Sequence, residues 1–492
     1  MTDFPFDSVL VVNRGEIAAR VLRTVRHLGL RALLVAHRLD DGAPALALAD
    51  EVRWIDGPTP VAAFLDIEQI LAAAREMRAG AIHPGYGFLS ENARFAEAVK
   101  QAGMVFVGPR PATIELMGDK VRARRFVEEH GFPVAPSAIE DDEPTTFAER
   151  ARRLGAPLLV KPSAGGGGKG MRIVRDLETL DEDLDRARSE GQRYFGDGRL
   201  FVERYIERPR HIEVQVLGDA SGQVVHLFER ECSLQRRFQK VVEEAPSPAL
   251  SDDLRTRICE AAAGIAAAAG YVNAGTVEFI YGESGEFYFL EMNTRLQVEH
   301  PVTEAITGLD LVAEQLRIAA GQPLRLSQAQ ITRRGHAIEL RIYAEDPERG
   351  FTPTTGPVLR LIAPPGARFD AGVSEGMRIT AAFDPMIGKL VAHAESRTGA
   401  LAAADEALSQ LVLLGLKTNI DFLRRLLADP DVAAGRMHTG LIAEKSELTE
   451  AAPIAPDVLA RLLTQVAEQV PDLRREAADT PALHAAMGAW RN

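Results

Sequence analysis

The sequence predicts an α/β protein of about three folded units, and three observations carry that prediction. Short apolar runs alternate with amphipathic stretches through residues 8–108, the signature of a parallel sheet covered by helices on both faces. Strand-like segments dominate 211–292, which suggests an antiparallel sheet. The length of 492 residues exceeds that of one ordinary domain.

Taken in order, SVLVV (8–12) reads as a buried strand, 16–30 as a helix with Ile17, Val21, Leu22, Val25 and Leu28 on its apolar stripe, and RALLVAH (31–37) as the next strand. Helical 67–77, strand 79–83, helical 93–103 and strand 104–108 continue the alternation, with the sheet ending near 123. A smaller unit over about 133–205 holds strand APLLVKP, a glycine run, strand MRIVR, a charged helix and LFVERYI. Strands follow at 211–216, 224–230, 275–281 and 286–292; alternation in HIEVQV sets His211, Glu213 and Gln215 on one face and Ile212, Val214 and Val216 on the other. Residues 335–445 form a third unit of strands and helices, and the tail after Lys445 holds one amphipathic helix, with Val458, Leu459, Leu462, Leu463 and Val466 on one stripe.

Composition narrows the function. Hydrophobic content of 46% and charged content of 26% are those of a globular protein, and the formal net charge of −13 disfavours non-specific nucleic-acid binding. Cys232 and Cys259 are too few for a disulfide framework and suit a reducing cytosol. The N-terminal residues do not read as a signal peptide, and no apolar stretch approaches the ~20 residues of a membrane span, so a cytoplasmic location is expected. Lysines number eight, whereas arginines number 49; a GC-rich genome explains that bias, yet a surviving lysine suggests a need for a compact point charge.

Three segments carry chemistry. In SAGGGGKGM (163–171) a strand follows the glycines instead of a helix, which rejects a dinucleotide fingerprint, and Ser163 in place of the first glycine with Gly170 after the lysine rejects a Walker A loop. A flap over phosphates, with Lys161 reaching the same oxygens, and a merely flexible hairpin stand about equal there. In the hairpin 275–292, a loop at 282–285 pairs Tyr281 with Glu286, makes Glu278 and Glu291 diagonal neighbours, and sets Phe287 and Phe289 on their face. Two carboxylates with Asn293 beside phosphates are a Mg²⁺ site in outline. In NTRLQVEHPVTE (293–304), Arg295 and Glu299 suggest an anion site with a base beside it. Arg236, Arg237 and Lys240 read alone as a surface basic cluster.

VVNRGEIAAR (11–20), IHPGYGFLSEN (82–92), LMGDK (116–120), VKPSAGGGGKGMR (160–172), CSLQRRFQK, EMNTRLQVEHPVTE (291–304) and GHAIELRIYAEDP (335–347), in that order, resemble the biotin carboxylase family over residues 8–445. The resemblance implies a Rossmann-like pre-ATP-grasp domain (1–123), an ATP-grasp domain (124–321) with a mobile lid at about 133–205, a C-terminal α+β domain (335–445), and a helical or irregular tail (446–492). It implies ATP binding by Lys120, Lys161, Gly167, Gly168, Glu203, Arg204, Tyr205, Ile206, His211, Glu278 and Glu291, and Mg²⁺ or Mn²⁺ on Glu278, Glu291 and Asn293. Lys240, Arg295 and the Val298 amide would hold bicarbonate, Glu299 would be its base, and Arg341 and Tyr86 would border biotin. The partners implied are a biotin carboxyl carrier protein, carboxyltransferase subunits and a second copy of the chain.

Three departures stand out. Phe238 replaces a histidine found in many members, and His27 replaces an acid that in some relatives pairs across a dimer interface with the arginine corresponding to Arg23. No lysine follows a methionine, so the biotin-attachment motif is absent and the carrier is expected on another chain.

Overall fold

The computed structural model describes residues 4–140, 144–162, 170–450 and 456–469. Gly167 and Gly168, with the rest of the glycine run at 163–169, lie outside the described residues. The chain falls into two compact units, Met1–Leu448 and Thr449–Asn492. In the second, residues Pro456–Gln469 form a helix; Val458 and Leu459 are exposed, while the side chains of Leu462, Leu463 and Val466 lie outside the description.

The first unit opens on a five-stranded parallel sheet: β1 Ser8–Val11, β2 Arg31–Ala36, β3 Glu51–Trp54, β4 Ala81–His83 and β5 Val105–Phe106, in the order β3-β2-β1-β4-β5. Side chains alternate across β1. Val9 and Val11 pack with helix Gly15–His27, whereas Leu10 and the following Val12 pack with helices Ile67–Glu76 and Ala93–Gln101. Strand order reverses between β1 and β4, where the first turn of helix Gly15–His27 carries Glu16 and the loop after β4 carries Tyr86 to the crevice that such a switch point creates. β3, whose sequence EVRW is mostly exposed, has no apolar run to announce it.

A four-stranded antiparallel sheet follows: β6 Ser137–Ile139, β7 Leu158–Pro162, β8 Arg172–Val174 and β9 Leu200–Arg204, in the order β6-β9-β7-β8. Its apolar face closes on helices Phe147–Arg153 and Leu180–Phe195.

The largest element is an eight-stranded antiparallel sheet made of β10 Arg210–Gly218, β11 Val224–Arg236, β12 Gln239–Ala245, β13 Asn273–Tyr281, β14 Phe287–Asn293, β15 His336–Tyr343, β16 Arg368–Ala371 and β17 Met386–Ala394. Their order is β14-β13-β10-β11-β12-β15-β17-β16, so one sheet draws its strands from between residues 210 and 394 of the sequence. The expected alternation in β10 is present: Ile212, Val214 and Val216 enter a core with Val277, Phe279 and helix Asp252–Ala268, and Glu213 and Gln215 face the other way. β11 and β12 are joined through Arg237 and Phe238, both at positive φ (50° and 65°), the backbone of a two-residue hairpin turn, and Phe238 stands 68% exposed at its tip.

The hairpin β13–β14 corrects the expected register. Tyr281 pairs with Phe287 and Phe279 with Phe289, one residue off the expected register, and a β-bulge at Leu290 then adds a further residue to β14, so that Glu278 pairs directly with Glu291. Phe287 and Phe289 therefore sit in the core beside Phe279 and do not share the face of Glu278. Were β14 to run on unbroken with Leu290 paired in the ladder, period-2 alternation would carry Glu291 into that core with them.

Candidate active site

Register places a row of charge across four strands. Glu291 faces Glu278, Glu278 faces Glu213, and Glu213 faces Arg230, on β14, β13, β10 and β11 in turn. Adjacent carboxylates repel, so this row needs buried cations. Arg230, fully buried, donates to Glu213 Oε1 at 2.6 Å, Gln215 Oε1 at 2.9 Å, Thr303 Oγ1 at 2.9 Å and Thr276 Oγ1 at 3.0 Å. Lys240, carried in on β12, donates to three glutamates: Glu213, Glu278 Oε1 at 2.9 Å and Glu299 Oε1 at 2.6 Å. Burial opposes its charge, but those three carboxylates outweigh burial and hold its ammonium well above the usual lysine range.

Glu278 is the hub. Its Oε1 also accepts from Asn293 Nδ2 at 2.8 Å and Gln297 Nε2 at 2.9 Å, and its Oε2 lies 2.8 Å from His211 Nε2. Gln235 Nε2 stands 2.7 Å from His211 Nδ1, which turns the other ring nitrogen toward Glu278. Against burial, Lys240 and His211 hold the Glu278 carboxyl well below the usual range. An ionised Glu278 directly opposite Glu291, with an amide and an imidazole alongside, is an oxygen-rich donor set that fits a hard divalent cation.

Glu299 joins two basic groups. Its Oε1 takes Lys240, and its Oε2 takes Arg341 Nη2 at 3.0 Å. Burial acts to raise its pKa, yet Lys240 and Arg341 prevail and keep it ionised. Arg341 reaches in from β15, with Nε donating to Glu243 Oε1 at 2.6 Å. Burial pushes Glu243 up to about 7 despite Arg341, and its cross-strand partner Glu339, fully buried with neither oxygen hydrogen-bonded, is pushed well above the usual range by burial.

The loop between β14 and helix His300–Thr307 is pinned from outside: Glu91 accepts from Thr294 N at 3.1 Å and Arg295 Nε at 3.0 Å. Arg295 then spans Asn293 Oδ1 and Gln297 Oε1, each at 3.0 Å. Val298 gives its carbonyl to Lys389, and Tyr86 gives its hydroxyl proton to Glu16.

The structure thus brings together Lys240, His211, Glu278, Asn293, Arg295, Glu299 and Arg341, with Lys120 Nζ 3.2 Å from Glu291 Oε2 at the rim. Lys161 and Glu203 form an ion pair of their own between β7 and β9, beyond which Arg204 is exposed and Tyr205 and Ile206 are half-buried. Of the basic cluster, Lys240 is part-buried in the site and Arg236 is buried on Glu345 Oε2 at 2.6 Å. Sequence reasoning assigned no role to Arg230, Glu213, Glu243, Glu91, Glu16, Glu339 or Lys389. Only Lys389, one of eight lysines in an arginine-rich chain, carried a usable signal.

Comparison with known proteins shows the family. The chain matches the family models described as biotin carboxylase, N-terminal domain (residues 5–114), carbamoyl-phosphate synthase L chain, ATP binding domain (119–327) and biotin carboxylase C-terminal domain (339–444). It is 44% identical to the biotin carboxylase of Nostoc sp. over 447 residues, 90% of this chain and 100% of that protein. It is 47% identical over 441 residues, 89% of its length, to the mitochondrial methylcrotonoyl-CoA carboxylase subunit alpha of Rattus norvegicus, and spans 62% of that protein. Among solved structures it is similar to the biotin carboxylase domain dimer of Hydrogenobacter thermophilus 2-oxoglutarate carboxylase, in complex with MgADP, ADP and bicarbonate. The TM-score there is 0.86, with 43% identity covering 91% of this chain and 99% of that one. Among the described residues no helix is long and apolar enough to cross a membrane.

Proposed function

Because the chain belongs to the biotin carboxylase family, we propose that it uses ATP and bicarbonate to carboxylate N1 of biotin on a separate carrier protein, the first half-reaction of an acyl-CoA carboxylase. The observation that carries the reading is Glu299, whose two oxygens take Lys240 on one side and Arg341 on the other. A base set between an anion-binding lysine and a buried arginine from β15 suits a reaction joining bicarbonate to a second substrate.

In this reading, bicarbonate takes over Lys240 and Arg295, and the Val298 amide donates to it. Losing Lys240 as a partner raises the proton affinity of Glu299, which then accepts the bicarbonate proton. The bicarbonate oxygen attacks the γ-phosphate of ATP, releasing ADP and forming carboxyphosphate. Glu278, Glu291 and Asn293 would hold Mg²⁺ or Mn²⁺, which supplies charge neutralisation to the phosphates. Lys120, Lys161, Gly167, Gly168, His211 and residues Glu203 to Ile206 would bind the nucleotide. Carboxyphosphate divides into CO₂ and phosphate, the phosphate removes the N1 proton of biotin, and Arg341 stabilises the enolate oxygen while N1 attacks CO₂. Tyr86 borders the ureido ring.

The domain limits proposed are 1–123, 124–321 with its lid at about 133–205, and 335–445, followed by the tail 446–492. The partners proposed are a biotinylated carrier, carboxyltransferase subunits and a second copy of this chain, in the cytoplasm. The test is ATP cleavage by the purified chain with Mg²⁺: it is expected to require bicarbonate and to rise with free biotin. Cleavage indifferent to both would overturn the reading.

A further inference from the structure

Lys389, on β17, is 0% exposed and has no part in the chemistry just described. Burying an ammonium is costly unless it is paired, and an apolar residue of similar volume would often serve stability as well. Its partners explain why a charge stands there. Nζ donates to the carbonyl of Val298 at 2.5 Å, the peptide unit that leads directly into Glu299. The same nitrogen lies 3.3 Å from Glu16 Oε1, the oxygen that accepts the Tyr86 hydroxyl, and 6.0 Å from the centre of the Tyr86 ring. Its cross-strand neighbour is Arg341. One atom therefore ties the loop of the base to the tyrosine at the switch point of the parallel sheet, and it stands on a strand that pairs with the one carrying the arginine.

We propose that Lys389 is a positioning residue: it fixes the Val298–Glu299 peptide by its own hydrogen bond and the Tyr86 hydroxyl through Glu16, so that the bicarbonate and biotin sites keep a set separation. The inference rests on the function proposed above. A lysine suits the position because its three donors radiate from one compact charge, whereas the planar guanidinium of arginine would spread them along a fork. Two arms follow from the geometry, one direct to the bicarbonate loop and one through Glu16 to the biotin wall, and they can be cut separately.

Lys389→Met cuts both arms, and Glu16→Gln weakens only the second. The measurement is the KM for bicarbonate, for free biotin and for ATP, with kcat, on variants shown to keep the melting transition and circular dichroism of the unaltered chain. Lys389→Met is expected to raise both the bicarbonate and the biotin KM by about 10-fold or more, the scale of effect set by small misplacements of reacting groups, with the ATP KM unmoved. Glu16→Gln is expected to raise the biotin KM alone. An equal fall in kcat with all three KM values unchanged, or a Glu16→Gln variant that moves bicarbonate as much as biotin, overturns the inference. If Lys389→Met does not fold, Glu16→Gln decides, and an unchanged biotin KM refutes it. An unaltered chain with no bicarbonate-dependent ATP cleavage overturns the proposed function and this inference with it; normal turnover beside unmoved KM values overturns the inference alone.

Discussion

Glu299 is kept ionised by the two side chains that contact it, Lys240 and Arg341, and their removal should therefore have different consequences. Lys240→Ala is expected to lose both bicarbonate-dependent ATP cleavage and carboxybiotin formation, on the order of 100-fold or more, because the lysine also neutralises Glu213 and Glu278. Arg341→Ala is expected to cripple carboxybiotin formation and retain part of the biotin-independent cleavage; equal loss of both activities would refute the division. Arg230 belongs to stability. Arg230→Met leaves Glu213, Gln215, Thr276 and Thr303 without their buried donor, and the expected loss is about 3–5 kcal/mol in urea denaturation. At this scale the sequence exposed what local motifs carry, such as Arg295 and Glu299 four apart. It hid what only the sheet assembles: Arg230 is one arginine among 49 until β10 and β11 pair it with Glu213.

Elements were legible where their period was clean. The strand and helix alternation of 8–108 is present, and the outward turn of Glu213 in β10 follows from HIEVQV. The β13–β14 register was not, because a bulge is a change in count that leaves composition untouched. Deleting Leu290 removes only that extra residue, so Glu291 follows Phe289 directly and still faces Glu278; Mg²⁺-dependent ATP cleavage, measured by phosphate release, is expected to survive, and its loss would contradict the register. β4 offers a pH test. His83 is fully buried; its Nδ1 accepts from Gly85 N at 3.0 Å and its Nε2 lies 3.1 Å from Gln315 Oε1. Burial pushes this imidazole down to about 4, so below pH 6.5 the unfolded chain takes up a proton that the folded chain refuses. Stability is accordingly lost as pH falls from 6.5 through 4, by at most about 3 kcal/mol. The urea midpoints of the unaltered chain and of His83→Asn should converge over that window, and a constant gap would contradict the assignment.

At the scale of the molecule, the sequence suggested separate units on either side of residue 335, and the sheet joins them. β12 pairs with β15 through Val242 and Leu340, Glu243 and Glu339, Glu244 and Ile338, and Ala245 and Ala337. A chain ended after Gly321 would leave β12 as a bare edge with Val241 and Val242 stripped of their core, and is expected to aggregate on size-exclusion chromatography. The full chain, in which no lysine follows a methionine, is expected to give no streptavidin-reactive band after co-expression with a biotin ligase. A band at its mass would refute the separate carrier. The shared sheet also bears on recombination. A hybrid between two relatives that crosses over anywhere between Ala245 and His336 inherits β12 from one parent and β15 from the other, so Glu243 and the Arg341 it holds arrive from different lineages. Such crossovers should succeed only between parents whose facing residues already match, which makes Glu243 and Arg341, far apart in sequence, a single unit of inheritance.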